Sequence, residues 1–176
     1  MEKLTFEQEI ELLEAIKKNY IGHGSSRTVF RHPFNRKLAI KIAIGNGGKT
    51  QNKREIEVNQ LLPEYTNTIH AYGENIIICD LIIRDWQDRI DKSEYRTKKL
   101  FNDKEWAIIE EIIEKLSETN GHTGDNTQIG KTINKKIVAY DYGFIRDEDL
   151  YNQVDRDLED DDYKNSPKIA LKQLRG

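Results

Sequence analysis

The sequence has one cysteine, Cys79, one methionine and only three prolines in 176 residues. A single thiol excludes an internal disulfide framework and a cysteine-rich zinc site. The four histidines, at positions 23, 32, 70 and 122, show no metal-ligand spacing. The formal net charge is −3, too small for the basic footprint of a nucleic-acid binder or for an acidic mimic. No apolar run approaches the roughly 18 residues that a membrane-spanning helix needs. The opening "MEKLTFEQEI" has no apolar segment of the kind a secretory signal requires. No internal repeat and no Pro- or Gly-rich linker interrupts the chain. These absences predict a soluble protein of a reducing compartment, with cytoplasmic localisation and neither nucleic acid nor membrane as partner. What is present is 36% hydrophobic and 34% charged residues, enough for one compact domain, or a small pair, with a real core.

Periodicity organises the chain. Residues 5–18, "TFEQEIELLEAIKK", begin with Thr5 and Gln8 at capping-box spacing, and Phe6, Ile10 and Leu13 mark one helical face. From Tyr20 the period changes. "YIG", "RTVFRH" and "KLAIKIA" predict three short strands joined by a glycine loop and by the turn "HPFNR". "GNGG" at 45–48 predicts the end of the third strand, with Thr50 capping a helix that runs to Pro63. "NTIHAY" and "IIIC" around "GEN" predict a hairpin. "NDKEWAIIEEIIEKLSET" is the clearest helix, capped by Asn102 and Glu105, with Trp106, Ile109, Ile113 and Leu116 as its buried stripe. The loop "NGHTGDNTQIG" leads to a strand, "KIVAY", and to "DYGF". An acidic run at 155–162, expected to be solvated, precedes a short basic helix candidate, "SPKIALKQLRG". An antiparallel sheet carrying one helix, followed by a helical segment, makes the class α+β.

In this order the motifs resemble the protein-kinase fold over roughly residues 18–145. Gly22, Gly24 and Val29 fit a G-x-G-x-x-G-x-V loop, with Arg27 in place of the third glycine. "LAIK" fits the V-A-I-K strand, which makes Lys41 the candidate for the α/β-phosphates and Ala39 an adenine neighbour. "REIEVNQLL" resembles the kinase C-helix, with Glu55 as partner of Lys41. "IIICDLI" resembles the hinge, where backbone groups of Cys79, Asp80 and Leu81 would meet the adenine edge. "DYG" resembles D-F-G, with Asp141 as magnesium ligand. The implied cofactors are ATP and Mg²⁺. The implied architecture is a kinase-like N-lobe with an extra N-terminal helix at 1–81 and a reduced C-lobe with the acidic tail at 82–176.

Elementary chemistry agrees with these assignments. Glycines let backbone N–H groups approach phosphates without a Cβ in the way. A lysine in an apolar strand needs a carboxylate or an anion, because an unpaired buried ammonium is costly. An Asp ahead of a turn offers the hard oxygen that Mg²⁺ requires. Taken singly, each motif also has an ordinary reading: a hairpin, a snorkelling lysine, an Asp–Gly turn. Their order along the chain joins them.

The pattern departs from the family in two places. A kinase catalytic loop places an Asp beside the acceptor hydroxyl and an Asn on the metal. Aligned with D-x-H-x-x-N-x-G, this sequence puts Asn120 at the base position, His122 on the histidine and Asn126 on the metal. Read instead as a stretched H-R-D, it makes Asp125 the base, with no Asn at the expected distance. An Asn cannot accept a proton at neutral pH, so the first alignment predicts weak or absent transfer. Few residues follow "DYG", and they contain no A-P-E, so the protein-substrate helices are expected to be reduced to a stub. Truncated kinase-like proteins of phages and bacterial effectors look similar, and some of the latter depend on a host partner. The implied function is a pseudokinase that binds ATP·Mg and a protein partner, in the host cytoplasm if phage-encoded. The alternative is a minimal, partner-activated Ser/Thr-type kinase.

Overall fold

The computed structural model describes residues 1–16, 19–24, 26–82, 88–89, 101–120, 128–142 and 160–176. They fall into two units. The first takes Met1–Arg54, Ile69–Leu81 and the C-terminal helix, and the second takes Glu55–Thr68 with the described residues between Ile82 and Tyr142.

The first unit is a six-stranded sheet. Its strands are β1 (Glu2–Lys3), β2 (Tyr20–His23), β3 (Arg27–Arg31), β4 (Leu38–Ala43), β5 (Ile69–Tyr72) and β6 (Ile76–Asp80), in the spatial order β1-β5-β6-β4-β3-β2. β3 lies antiparallel beside β4, as expected for "RTVFRH" and "KLAIKIA". Helix α2 (Gly45–Leu61) joins β4 to β5. Five antiparallel strands with the helix inserted between the third and the fourth reproduce the kinase N-lobe order that the motifs implied. The α+β class holds.

Alternation explains the core. Phe30, Ile40, Ile42, Ile76 and Ile78 face one side of the sheet and pack with Leu13 and Ile16 from helix α1 (Phe6–Ala15) and its C-cap. Ala170, Leu171 and Leu174 of the C-terminal helix α4 (Asp160–Arg175) join the same cluster. The tail, grouped with the second lobe from sequence order, thus packs against the first unit's sheet. Its helix also starts earlier than "SPKIALKQLRG" suggested. Asp160 to Asp162, the end of the acidic run, form its first turn.

α1 begins with the predicted capping box. The Gln8 N–H donates to Thr5 Oγ1 at 3.2 Å, and the Thr5 N–H donates to Gln8 Oε1 at 2.7 Å. α2 differs from expectation, because it begins at Gly45 rather than after Thr50. Gly45 takes a positive φ of 63° that turns the chain out of β4. Thr50 is inside the helix, and its hydroxyl donates to the Asn46 carbonyl at 3.0 Å instead of capping. The helix then passes very close to the strands. A Cβ on Gly48 would lie 2.3 Å from the Ser26 carbonyl oxygen and 2.9 Å from Ala43 Cα.

The second unit packs α3 (Asp103–Asn120) against a three-stranded sheet of β7 (Asp88–Arg89), β8 (Gln128–Lys131) and β9 (Ile137–Asp141), in the order β7-β8-β9. Asn102 and Glu105 cap α3 reciprocally. Its deepest residues are Ile109, Ile112 and Leu116, while Trp106 and Ile113 lie at the margin of the core. Ile112 therefore joins the stripe that the spacing assigned. β8 occupies a stretch that reads as loop, because "QIGK" is too short to show alternation. Among the described residues no helix is long and apolar enough to cross a membrane.

Candidate functional site

The face of the first sheet opposite the α1/α4 core carries the candidate nucleotide residues. Lys41 pairs with Val29 on β3 and with Ile77 on β6, and Ala39 pairs with Cys79. Because paired residues of antiparallel strands share a face, Val29, Ala39, Lys41, Ile77 and Cys79 form one surface. Lys41 is only 5% exposed, so its side chain is withdrawn from solvent.

Beside this surface runs the glycine loop. Gly22 lies in β2 and Gly24 follows it; a Cβ at either would meet no atom within 4 Å, and neither has a left-handed φ. The chain's own packing gives no reason for glycine at these positions. Gly48 and Gly73 are the contrast. A Cβ on Gly73 would lie 2.2 Å from the carboxylate of Glu9, which accepts the backbone N–H groups of Glu74 and Asn75 at 2.8 and 2.7 Å.

The hinge residues behave differently from one another. Cys79 lies in β6 between β4 and β5, so it presents a side chain to the Lys41 face while its backbone sits within two ladders. Asp80 pairs with His70 across β5 and β6 at 2.8 Å. The Leu81 N–H donates to the Lys37 carbonyl at 2.8 Å. That donor is therefore engaged by the chain itself.

Arg27 replaces the third glycine with a buried guanidinium. Its Nη1 lies 3.4 Å from Asn52 Oδ1 on α2, and Asn52 Nδ2 donates to the Asn75 carbonyl at 3.1 Å. The inner face of α2 is thus largely polar, with Asn52, Glu55 and Asn59 all buried. Hydrophobic periodicity passes over such a face. The visible signal is Arg27 itself, a charged residue where the motif calls for glycine. Glu55 is fully buried on α2 and belongs to the second unit.

In that second unit, Asp141 is the last residue of β9, opposite Gln128, and remains partly exposed. Tyr142 follows it at zero exposure in the unit's core, so the ring anchors the Asp-Tyr step. A single carboxylate at a strand end is the kind of hard oxygen ligand that Mg²⁺ takes, with waters and substrate phosphates completing its shell. No group of three or more His, Cys, Asp or Glu suited to holding a metal occurs among the described residues. Asp125 and Asn126 lie outside the described residues, and Asn120 closes α3.

No protein-family model and no curated protein matches the chain. Among solved structures, it is similar to the chain in the gentamicin–APH(2")-IIa complex, at 14% identity and a TM-score of 0.41, covering 99% of this chain and 87% of that one. The streptomycin–ATP–APH(2")-IIa ternary complex matches with the same identity, TM-score and coverage. A likeness of this size bears on neither ligand nor activity. The strand order itself carries the kinase-like fold class.

Proposed function

We propose that this chain binds ATP with Mg²⁺ through its kinase-like N-lobe and acts as a pseudokinase, with a protein partner as its target. The observation that carries the reading is the pairing of a buried lysine with open glycines. Lys41 is nearly inaccessible on a surface of Val29, Ala39 and Cys79, beside two glycines that the fold itself does not require. A loop without Cβ atoms next to a confined ammonium suits a polyphosphate. Asp141 is the metal ligand on this reading. Asn120 at the base position makes transfer slow or absent, so binding rather than catalysis is the function.

Thermal unfolding with ATP, with and without Mg²⁺, tests this. A ligand that binds only the native state at a hundredfold excess over its Kd stabilises by about 2.7 kcal/mol, roughly 5–10 °C for a chain of this size. Lys41→Met, which retains the packing volume, should abolish the shift. Asp141→Asn should abolish its magnesium-dependent part. Absence of any shift in the wild type would refute nucleotide binding. Robust phosphorylation of a generic protein substrate by the isolated chain would refute the pseudokinase assignment.

A further inference from the structure

The glycine loop is gripped from behind by the C-terminal helix. His23 stands between Gly22 and Gly24, and its ring stacks on that of Tyr163 in α4, with centroids 3.8 Å apart and planes 20° from parallel. His23 Nδ1 also lies 3.2 Å from the Gly24 carbonyl oxygen, which ties the ring to the loop's own backbone. One helical turn beyond Tyr163, the buried Ser166 hydroxyl bonds to the Thr28 hydroxyl on β3. Thr28 is the cross-strand partner of His23 in the β2–β3 hairpin. Residues three apart on a helix share a face, so Tyr163 and Ser166 together hold two paired residues. Thr28 also pairs with Ile42, which places this grip on the sheet face opposite Lys41.

We propose that Tyr163 is a positioning residue for the glycine loop, so that docking of α4 sets nucleotide affinity by preorganising the loop. This rests on the nucleotide-binding reading for its consequence, but not for the anchoring itself. A loop already held in one arrangement loses less conformational entropy when it meets a ligand. The aromatic pair holds the β2 side of the loop, and the hydroxyl pair holds the β3 side. The ring is what the stack requires, so phenylalanine should replace tyrosine here and alanine should not.

The experiment uses the full chain as wild type, Tyr163→Ala, Tyr163→Phe and Ser166→Ala. Hydrogen exchange of the β2 and β3 amides is followed alongside ATP·Mg titration. Tyr163→Ala should speed exchange in β2 and at the start of β3 without altering the second unit. It should also weaken ATP by about two- to tenfold, the range expected for loss of one aromatic pair. Tyr163→Phe should restore both, and Ser166→Ala should loosen β3. Unchanged exchange at the hairpin in Tyr163→Ala and Ser166→Ala would overturn the proposal whatever ATP does. Faster exchange with unchanged ATP affinity would overturn the link to the ligand. Faster exchange in the variants, with no ATP binding by the wild type, would support the anchoring and refute the nucleotide reading instead.

Discussion

Single positions divide the glycines of this chain into two kinds. Gly48 is needed by the fold, because the Ser26 carbonyl and Ala43 Cα leave no room for a Cβ. Gly48→Ala should therefore destabilise by about 1–3 kcal/mol, as overpacking against backbone does, measured as a lower denaturation midpoint at constant m-value. Gly22 and Gly24 have open space. Gly24→Ala should leave stability unchanged or raise it by up to about 1 kcal/mol, while reducing the ATP-dependent thermal shift. Equal losses of stability at 24 and 48 would contradict this division. The sequence shows both glycines as loop signals, and only the close approach of α2 to the strands separates them. Glu9 makes the same point. An acid within a helix, it is nonetheless buried where it accepts the N–H groups of the 73–75 turn.

Elements with local signatures formed as their patterns indicate. The capping boxes of α1 and α3, the β3–β4 pair and the β5–β6 hairpin all depend on residues within a few positions of one another. The turn between β3 and β4 adds a titratable device. His32 Nδ1 accepts the backbone N–H groups of Phe34 and Asn35 at 3.2 and 3.1 Å, and burial pushes its pKa below the ordinary 6.5. As pH falls, the unfolded chain takes up this proton first. The contribution of His32 is therefore fully present above 6.5 and declines below it. At the start of α3, hydrogen bonding from the Lys131 ammonium holds the Glu105 carboxyl below its ordinary 4.5. That contribution is present above 4.5 and is lost as pH falls through the lowered value. Urea midpoints measured from pH 8 to pH 3 should fall in two stages. His32→Asn should remove the near-neutral stage and Lys131→Met the acid one. A profile identical in all three proteins would exclude both assignments.

At the scale of the whole chain, the first unit is assembled from segments far apart in sequence. α4 covers the same sheet face as α1, through Ala170, Leu171 and Leu174, and Arg175 pairs with Glu14. Removing residues 160–176 uncovers part of the Phe30, Ile40 and Ile42 cluster. Losing the burial of these three side chains should cost on the order of 3–6 kcal/mol, a large share of the roughly 5–15 kcal/mol that holds a typical domain folded. The truncated chain should melt well below the full chain and bind a hydrophobic dye. An unchanged melting temperature would show that α4 contributes nothing to this core. By contrast, the solvent-exposed pair Arg175–Glu14 should matter little when broken alone.

Local spacing specifies the alternating strands and the capped amphipathic helices, and the order of loop, lysine, glutamate and Asp-x-Gly is what resembles a kinase. Those signals are written in spacings of two, three and four residues, the periods of local backbone geometry. Tertiary structure alone decided which sheet face α4 covers and which residues bury polar groups on α2. It also decided how two-residue strands such as β1 find a partner in β5. Thr28 and Ser166 meet across most of the chain's length, and nothing local to either records the other. A buried asparagine such as Asn52 breaks the apolar period, because its stabilisation comes from a carbonyl supplied by another element. Periodicity reports what a segment does with its own backbone, whereas partners chosen at a distance depend on the packing of the assembled chain.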